Sequence, residues 1–279
     1  MKIGVICECF KTDLKDAIKK AAKLGLDGVQ IYATGVFSPD TLTAERKEEY
    51  KKLLKDNNLS VSALCGDMGG YGFEIAADNS LRIEKTKRII ELAAEFSSDV
   101  VTTHIGVIPK DKSDARYGAM LAALTECGLY AKSKGVTLAI ETGPEPADSL
   151  LSFLKDTKGG VGVNLDPANF VMITGQDPVK AVRMLKDYIV HTHAKDGIRL
   201  IEKDAGDVYH AFVKGGAEAE EAFRSFKEVP LGCGGVNWGE YMAALRETGY
   251  DGFLTIEREG GENPASEIEE AAEFLKKII

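Results

Sequence analysis

Four residues of metal-binding type stand at the ends of strand-like runs in the sequence. They are Glu141 after VTLAI, Asp166 after VGVNL, His193 after YIVHT and Glu257 after GFLTI. Successive side chains of a strand point to opposite faces, so Leu138 and Ile140 share one face and Glu141 lies on the other. The run LTIE repeats this pattern and directs Glu257 in the same way. We therefore expect these acids to point into the interior of a closed sheet.

Three carboxylates and one imidazole that converge in a barrel interior repel one another unless a cation neutralises them. A single acid at a strand end would be expected only to pair with a nearby lysine or arginine, but four aligned groups favour a shared divalent metal. An oxygen-rich donor set with one nitrogen favours Mn²⁺, Mg²⁺ or Co²⁺, admits Zn²⁺ and disfavours Cu²⁺. We take Mn²⁺ as the expected ion.

Further polar residues lie close to the seventh run or in the segment after it. His191 precedes His193 by two residues, so both face the interior, but His193 is nearer the mouth and is the expected ligand. His191 is predicted to make a hydrogen bond in the interior instead. His210 falls in the segment that follows and is predicted to lie at the surface. Lys195 could polarise a substrate oxygen, although an ion pair with Asp196 is favoured.

These residues must be positioned by eight β-branched runs that alternate with amphipathic stretches along the chain. The runs are Lys2–Ile6, Gly28–Tyr32, Ser60–Leu64, Asp99–His104, Val136–Glu141, Val161–Asp166, Tyr188–His193 and Gly252–Glu257. Eight strand-plus-helix units without a break in composition predict an α/β protein, a single (β/α)8 TIM barrel over residues 1–279. A doubly wound open sheet is the alternative, but no GxGxxG follows the first run. The longest gap, at about 196–236, predicts an inserted loop and short helix over the barrel mouth.

The composition limits the classes of partner. The 279 residues include 35 Lys plus Arg against 44 Asp plus Glu, and the net charge of −9 repels nucleic acid and anionic membranes. The five cysteines are scattered without a CxxC pair, which is typical of a reducing compartment. The start, MKIGVICECF, lacks the apolar run of a signal peptide, and no stretch is long enough for a transmembrane helix. We expect a cytoplasmic protein with a small-molecule substrate, and a homo-oligomer is left open.

Five stretches of the chain carry a family resemblance. They are VTTHIGVIP, LAIETGPEP, VGVNLDPANFVMITGQDPVKAVRML, HTHAKDG and GYDGFLTIERE. Together they resemble the sugar phosphate isomerase/epimerase family within the xylose-isomerase-like TIM barrels, over nearly the whole chain. The resemblance implies a carbohydrate substrate and a metal held by Glu141, Asp166, His193 and Glu257. It does not specify the substrate, because ketose epimerases, sugar isomerases, inosose and dehydroshikimate dehydratases and abasic-site endonucleases share these features.

The resemblance also implies roles for individual residues. In ketose epimerases of this kind the first and last ligand glutamates exchange a proton with the substrate, which assigns that role to Glu141 and Glu257. Arg199 corresponds to a substrate-binding arginine six residues after the metal histidine. Asn169 stands where those enzymes often have a histidine, and it can hydrogen-bond a substrate hydroxyl. His104 either binds the substrate or satisfies a hydrogen bond inside the barrel.

We expect a divalent-metal-dependent isomerase or epimerase of a small keto-sugar or keto-polyol. One glutamate would remove the proton beside a carbonyl chelated by the metal, and the other would return a proton, through an enediolate. The alternative is a metal-dependent lyase or dehydratase that acts on a keto-sugar, keto-glycoside or keto-polyol by the same enediolate chemistry. An abasic-site endonuclease is excluded because it needs many histidines and the chain has four. A non-catalytic sugar-binding protein would be expected to have lost a ligand.

Overall fold

The barrel strands are short, β-branched runs that are mostly buried on both faces, as parallel strands are when helices cover the outside. The computed structural model describes residues 1–279 and contains ten strands. Eight of them close the barrel, and they are β1 (Lys2–Ile6), β2 (Gly28–Tyr32), β3 (Ser60–Cys65), β4 (Val100–Thr103), β5 (Thr137–Glu141), β6 (Val161–Leu165), β7 (Ile189–Ala194) and β10 (Phe253–Ile256). The other two form a separate antiparallel pair, β8 (Asp196–Arg199) and β9 (Phe226–Val229). The barrel strands differ from the predicted runs by no more than one residue at either end.

The barrel strands follow the order of the chain around the ring, from β1 through β7 to β10, which pairs again with β1. Every one of these pairs is parallel. Parallel order brings the carboxyl ends of all the strands to one rim, the face that carries the functional groups of such barrels. The predicted (β/α)8 fold is therefore confirmed.

Helices cover the outside of the barrel and connect its strands. They are α1 (Leu14–Lys23), α2 (Ala44–Asp56), α3 (Asn79–Glu95), α4 (Ala115–Ser133), α5 (Ala147–Asp156), α6 (Pro167–Asn169), α7 (Pro178–Leu185), α8 (Ala205–Lys214), α9 (Gly216–Phe223), α10 (Trp238–Glu247) and α11 (Pro264–Ile278). The short α6 runs directly into a π-helical turn at Phe170–Thr174. The apolar faces of the helices join the strands in a core of 64 buried residues. None of the helices has the length and apolarity needed to cross a membrane.

The segment of residues 196–236, which we call the cap, lies between β7 and β10. It contains β8, α8, α9 and β9, where the sequence predicts only a loop and a short helix. Its apolar residues form a small cluster separate from the main core, in which Val208 and Ala222 pack near Met172 and Ile173 of the π-helical turn. The acidic residues of α9 outnumber its buried apolar residues, so the sequence pattern does not reveal this apolar face. The prediction therefore lacked the second helix and the two strands.

A buried carboxylate ties the two ends of the cap together. Asp196 accepts hydrogen bonds from three backbone N–H groups within residues 232–236 and from the Trp238 indole, at 3.0 to 3.2 Å. A Cβ at Gly234 would overlap the Asp196 carboxylate, so this close approach requires glycine. The predicted ion pair of Lys195 with Asp196 is wrong, because these donors already occupy the Asp196 carboxylate and the Lys195 ammonium contacts other acids.

Replacement of Asp196 by Asn is expected to lower the free energy of unfolding by about 2–4 kcal/mol. One carboxylate oxygen would become an NH₂ group that faces N–H donors. Equilibrium unfolding in urea measures the effect. The matched control is Asp187→Asn at an exposed position, which should change stability by less than about 0.5 kcal/mol. Equal stability of the two variants would contradict the role given to Asp196.

Candidate metal centre

The four predicted ligands come from four consecutive strands of the barrel ring. Glu141 ends β5, Asp166 follows β6, His193 lies in β7 and Glu257 follows β10. All four are buried, and one possible ligand atom of each lies within 4.8 Å of those of the others. The distances from His193 Nδ1 to the nearest oxygens of Glu141 and Glu257 are 3.4 and 3.0 Å. We call this cluster the ligand group.

Asp166 uses its two carboxylate oxygens differently. Its Oδ1 accepts hydrogen bonds from the backbone N–H groups of Ala168 and Asn169, which caps the start of α6. Its own backbone N–H donates to the Thr142 hydroxyl at 2.8 Å. Its Oδ2 is buried and has no hydrogen-bond partner. Because a buried carboxylate oxygen is seldom left without a partner, this atom marks a position where a cation would be stabilised.

The Gln30 side chain orients the His193 ring, and the Asn164 amide packs beside the same ring nitrogen. Gln30 Oε1 lies 3.2 Å from His193 Nε2, and the Asn164 amide nitrogen lies 3.1 Å from it. When Nε2–H donates to Gln30, the lone pair of Nδ1 faces the carboxylates and is free to bind a metal. His191 lies outside the ligand group, and its ring centroid is 5.9 Å from that of His193. Burial and the nearby His193 lower the pKa of His191 well below its ordinary value.

A buried lysine offsets part of the negative charge. The Lys195 ammonium lies 3.3 Å from Glu257, 3.4 Å from Glu259 and 4.0 Å from Asp166. Burial favours a raised pKa for Glu257, but Lys195 and His193 hold that pKa well below its ordinary value. Burial raises the pKa of Asp166 to about 8, although Lys195 opposes this shift. Lys195 thus balances the negative charge of Glu257, whereas the charge of an ionised Asp166 has no cation closer than 4.0 Å to balance it.

The ligand group fits a single divalent metal ion. Three carboxylates and one imidazole are a donor set that suits Mn²⁺, Mg²⁺, Co²⁺ or Zn²⁺. The unpartnered Oδ2 of Asp166 belongs to the same group. A dication would remove the repulsion that Lys195 and His193 offset only in part. These four residues could therefore bind a metal.

The opposite half of the rim supplies a second histidine. His104 follows β4 and is held by Asp67, whose Oδ2 lies 3.2 Å from Nδ1. The other ring nitrogen faces Glu141 at 3.7 Å. Burial favours a lowered pKa for His104, but Glu141 and Asp67 raise it to about 10. Sequence reasoning missed Asp67, although it follows β3 by two residues and the strand-end rule could have found it.

A cavity of about 400 Å³ opens at this rim. The predicted site residues that line it are Glu141, His193, Glu257, His104 and Asn169. The Asn169 side chain is fixed by a hydrogen bond to the Thr142 carbonyl oxygen at 2.9 Å. Arg199 does not line the cavity. Its guanidinium donates to the Lys203 carbonyl oxygen at 3.3 Å instead and packs against Gly175.

The cap closes one side of the cavity through α8. Tyr209 lies against Gly143, where any Cβ would overlap the tyrosine hydroxyl, and its ring centroid is 5.7 Å from that of His104. The next residue, His210, places Nε2 3.2 Å from a carboxylate oxygen of Glu74. The prediction that His210 lies at the surface is wrong, because this face of α8 turns toward the barrel and His210 lines the cavity.

Residues 18–278 match the sequence profile of the xylose isomerase-like TIM barrels. The chain belongs to the xylose isomerase-like TIM barrel family. The uncharacterized protein YfiH of Bacillus subtilis is 27% identical over an alignment of 320 positions, which covers 100% of this chain and 99% of YfiH. The resemblance found in the sequence is therefore confirmed at the level of this family.

Several solved structures share the fold over nearly the whole chain. The xylose isomerase domain protein from Planctomyces limnophilus is 26% identical, with a TM-score of 0.79 and coverage of 99% of this chain and 96% of that one. The probable 3-DHS dehydratase AsbF from Bacillus anthracis is 22% identical, with a TM-score of 0.78 and coverage of 99% of both. D-psicose 3-epimerase from Clostridium cellulolyticum is 16% identical, with a TM-score of 0.73 and coverage of 100% of this chain and 99% of that one. The last two likenesses establish the fold alone.

His193→Ala is expected to weaken Mn²⁺ binding by about 10²-fold or more, since it removes a donor from the ligand group. His191→Ala should keep Mn²⁺ affinity within about tenfold of the wild type, because His191 supplies no ligand atom and only packs against the His193 ring. Calorimetric titration of each metal-free protein with Mn²⁺ measures both values. Loss of binding in the His191 variant with retention in the His193 variant would show that the assignment is reversed.

One buried acid near the cavity lies outside the ligand group. Glu145 follows β5 and accepts a hydrogen bond from the Ile108 backbone N–H at 2.9 Å. Burial raises its pKa from the ordinary value of 4.5 to about 8, although this hydrogen bond works in the opposite direction. The folded protein therefore keeps a proton on Glu145 between these two values, where the unfolded chain has lost it.

The pKa of Glu145 predicts a pH dependence of stability. Its contribution is fully present below pH 4.5 and is lost as the pH rises toward about 8, at about 1.4 kcal/mol per pH unit for one proton. Glu145→Gln keeps an oxygen for the Ile108 N–H and cannot ionise, so its stability relative to the wild type should increase over this range. Urea unfolding at a series of pH values measures the difference. Glu269→Gln, at an exposed position, is the control, and a parallel pH dependence of all three proteins would disprove the assignment.

Proposed function

We propose that this protein is a divalent-metal-dependent isomerase or epimerase of a small keto-sugar or keto-polyol. The observation that carries the proposal is the presence of two glutamates, Glu141 and Glu257, beside His193 in one group of possible metal ligands. We assign the metal to Glu141, Asp166, His193 and Glu257 and propose Mn²⁺ as the ion, with Mg²⁺, Co²⁺ and Zn²⁺ as alternatives. When bound there, such an ion supplies Lewis-acid polarisation of a carbonyl and a hydroxyl on adjacent carbons. The fold likeness to D-psicose 3-epimerase supports a carbohydrate substrate.

Proton transfer is assigned to Glu141 and Glu257. Glu141 ends β5 and Glu257 follows β10, and these strands are separated in the ring by β6 and β7. The two carboxylates therefore reach the substrate from different sides. One glutamate removes the proton on the carbon beside the carbonyl, and the other returns a proton to the opposite face. Lys195 keeps Glu257 ionised in the metal-free protein. A carboxylate in this state is able to accept a proton.

The substrate oxygens are assigned to residues on the other side of the cavity. His104 is fixed by Asp67 and lines the cavity, so its ring N–H can donate to a substrate oxygen. Asn169 lines the cavity beside the ligand group and can hydrogen-bond a hydroxyl. We leave Arg199 out of this set because its guanidinium is held by Lys203 outside the cavity.

A dehydratase or lyase is the second candidate function. It begins with the same removal of a proton beside a carbonyl, and a leaving group on the next carbon then departs in place of proton return. His104 supports this second function. Burial favours a lowered pKa for His104, but Glu141 and Asp67 raise it to about 10, so the imidazole is protonated at neutral pH and can donate a proton to the leaving group. The fold likeness to a probable 3-DHS dehydratase is consistent with it.

We further propose that residues 1–279 form one domain with the cap as an insertion, and that the protein is cytoplasmic. The closed ring of strands from β1 to β10 supports the first point. The cysteines support the second, because all five are free thiols and a protein in an oxidising compartment would be expected to pair some of them.

Glu141→Gln and Glu257→Gln are each expected to lower turnover by roughly 10²-fold or more, the usual contribution of a general acid or base. The amide keeps an oxygen for the metal, so Mn²⁺ binding should weaken only in part. Proton NMR of a panel of ketoses in D₂O measures deuterium incorporation, and each variant should lose exchange preferentially from one epimer. Each epimer presents its proton to only one of the two glutamates.

Equal loss of exchange from both epimers in both variants would mean that a single base acts, and it would favour the dehydratase or lyase. Absence of deuterium incorporation from the whole panel in the Mn²⁺-loaded wild type would contradict proton abstraction from these substrates. His191→Ala serves as a control with an altered barrel interior that retains both glutamates, and its exchange pattern should match that of the wild type.

A further inference from the structure

The cap adds a wall to the cavity that the proposed proton transfer does not use. A row of rings leads away from the ligand group, from His104 to Tyr209, on to Phe212 and then to Phe223 and Phe226, with centroid distances of 4.7 to 6.1 Å. The apolar residues on this side of the cavity are Met172, Ile173, Phe212, Val213, Phe223 and Phe226. We call these six residues the apolar wall.

The apolar wall offers no side-chain hydrogen bond. The nearest polar group in the row of rings is the Tyr209 hydroxyl, which lies against Gly143. A sugar hydroxyl placed against the wall would lose its hydrogen bonds to water and gain none in return. A hydrocarbon group in the same place would be removed from water in contact with aromatic rings, which is favourable. The wall therefore selects an apolar part of a ligand.

The charges around the cavity select against anions. The lining includes one lysine, no arginine and five carboxylates, which are Asp67, Glu74, Glu141, Glu257 and Glu259. Lys195 contacts Glu257 and Glu259. The remaining imidazoles are paired as well, since His104 faces Asp67 and His210 faces Glu74. With Glu141 and Glu257 assigned to the metal and each remaining cation already paired with an acid, a phosphate or carboxylate on the far end of a substrate would find no free cation.

We infer that the site takes an uncharged keto-sugar derivative that carries an apolar group, such as an aryl aglycone, next to the reacting carbons. The reacting end lies at Glu141 and Glu257, and the apolar group lies against Phe212 and Phe223. The position of the reacting end rests on the proposed function. The wall and the charge of the cavity are independent of it, and they specify the rest of the substrate.

Binding of unreactive glucosides to the Mn²⁺-loaded protein tests this inference by calorimetry. Phenyl β-glucoside should bind about tenfold more tightly than methyl β-glucoside, since the phenyl ring buries apolar area on the wall. Methyl glucoside 6-phosphate should bind more weakly than the uncharged methyl glucoside. Absence of the phenyl preference, or tighter binding of the phosphate, would overturn the inference.

Phe223→Ser should remove most of the phenyl preference and leave the affinity for methyl glucoside unchanged. Phe223 lines the cavity mouth and is 59% exposed, so its replacement costs little folding stability. Leu200→Ser is the matched control, because Leu200 is 55% exposed in the same cap and does not line the cavity. An unchanged phenyl preference in Phe223→Ser, or an equal loss in both variants, would mean that the wall does not bind the phenyl group.

Deuterium exchange into the 3-keto forms of the same glucosides separates this inference from the proposed function. Exchange without a phenyl preference refutes the apolar ligand and retains the proton transfer. A phenyl preference that depends on Phe223 but occurs without exchange supports the apolar ligand and refutes the isomerase or epimerase. An unchanged Mn²⁺ affinity in Phe223→Ser verifies that the ligand group is intact in the variant.

Discussion

Three carboxylates that share a buried site repel one another, and the rim of this barrel is organised around that repulsion. The ligand atoms of Glu141, Asp166 and Glu257 lie within 4.8 Å of one another, together with His193. One oxygen of Asp166 is satisfied by the N-terminus of α6, and Glu257 is compensated by Lys195. These contacts offset only part of the charge. The need for a further positive charge follows from the protein side chains alone.

The ring of strands divides the rim into two halves with different chemistry. Strands β5, β6, β7 and β10 carry the ligand group, whereas β2, β3 and β4 bring Gln30, Asp67 and His104 to the other side. Gln30 connects the halves, because its amide oxygen lies 3.2 Å from His193 Nε2. The half with the ligand group thus presents three carboxylates and one imidazole, whereas the other half presents an amide and an imidazole that is paired with a carboxylate.

The parts of the site that lie on regular strands could be predicted from the sequence. Alternation in β5 and β10 oriented Glu141 and Glu257 because the side-chain period of a strand is fixed by its backbone. The same alternation puts His191 and His193 on one face, and only the position of His193 nearer the rim makes it the expected ligand. In the structure His193 lies with the three acids and His191 does not. The parallel topology then brings the carboxyl ends of all these strands, and the residues they carry, to the same rim.

Contacts between segments distant in the chain could not be predicted in this way. Lys195 lies next to Asp196 in sequence but pairs with Glu257 and Glu259, since Asp196 is occupied by donors from residues 232–236. The surface position predicted for His210 was wrong because the polar side of α8 faces the barrel, where His210 contacts Glu74. Arg199 matched a family position in the sequence, yet the turn that places Lys203 beside it has no signature in residue spacing.

The separate apolar cluster of the cap has a consequence for how such a protein can diverge. Val208 and Ala222 pack with the π-helical turn rather than with the 64-residue core of the barrel. Substitutions among the residues of this cluster can therefore accumulate at little cost to the packing of the barrel core, provided that Asp196 keeps its hydrogen bonds. Two descendants of one ancestor could keep the same ligand group and acquire different cavity walls through this segment alone. The tolerance of the barrel to such drift makes the cap the natural place to graft new specificity.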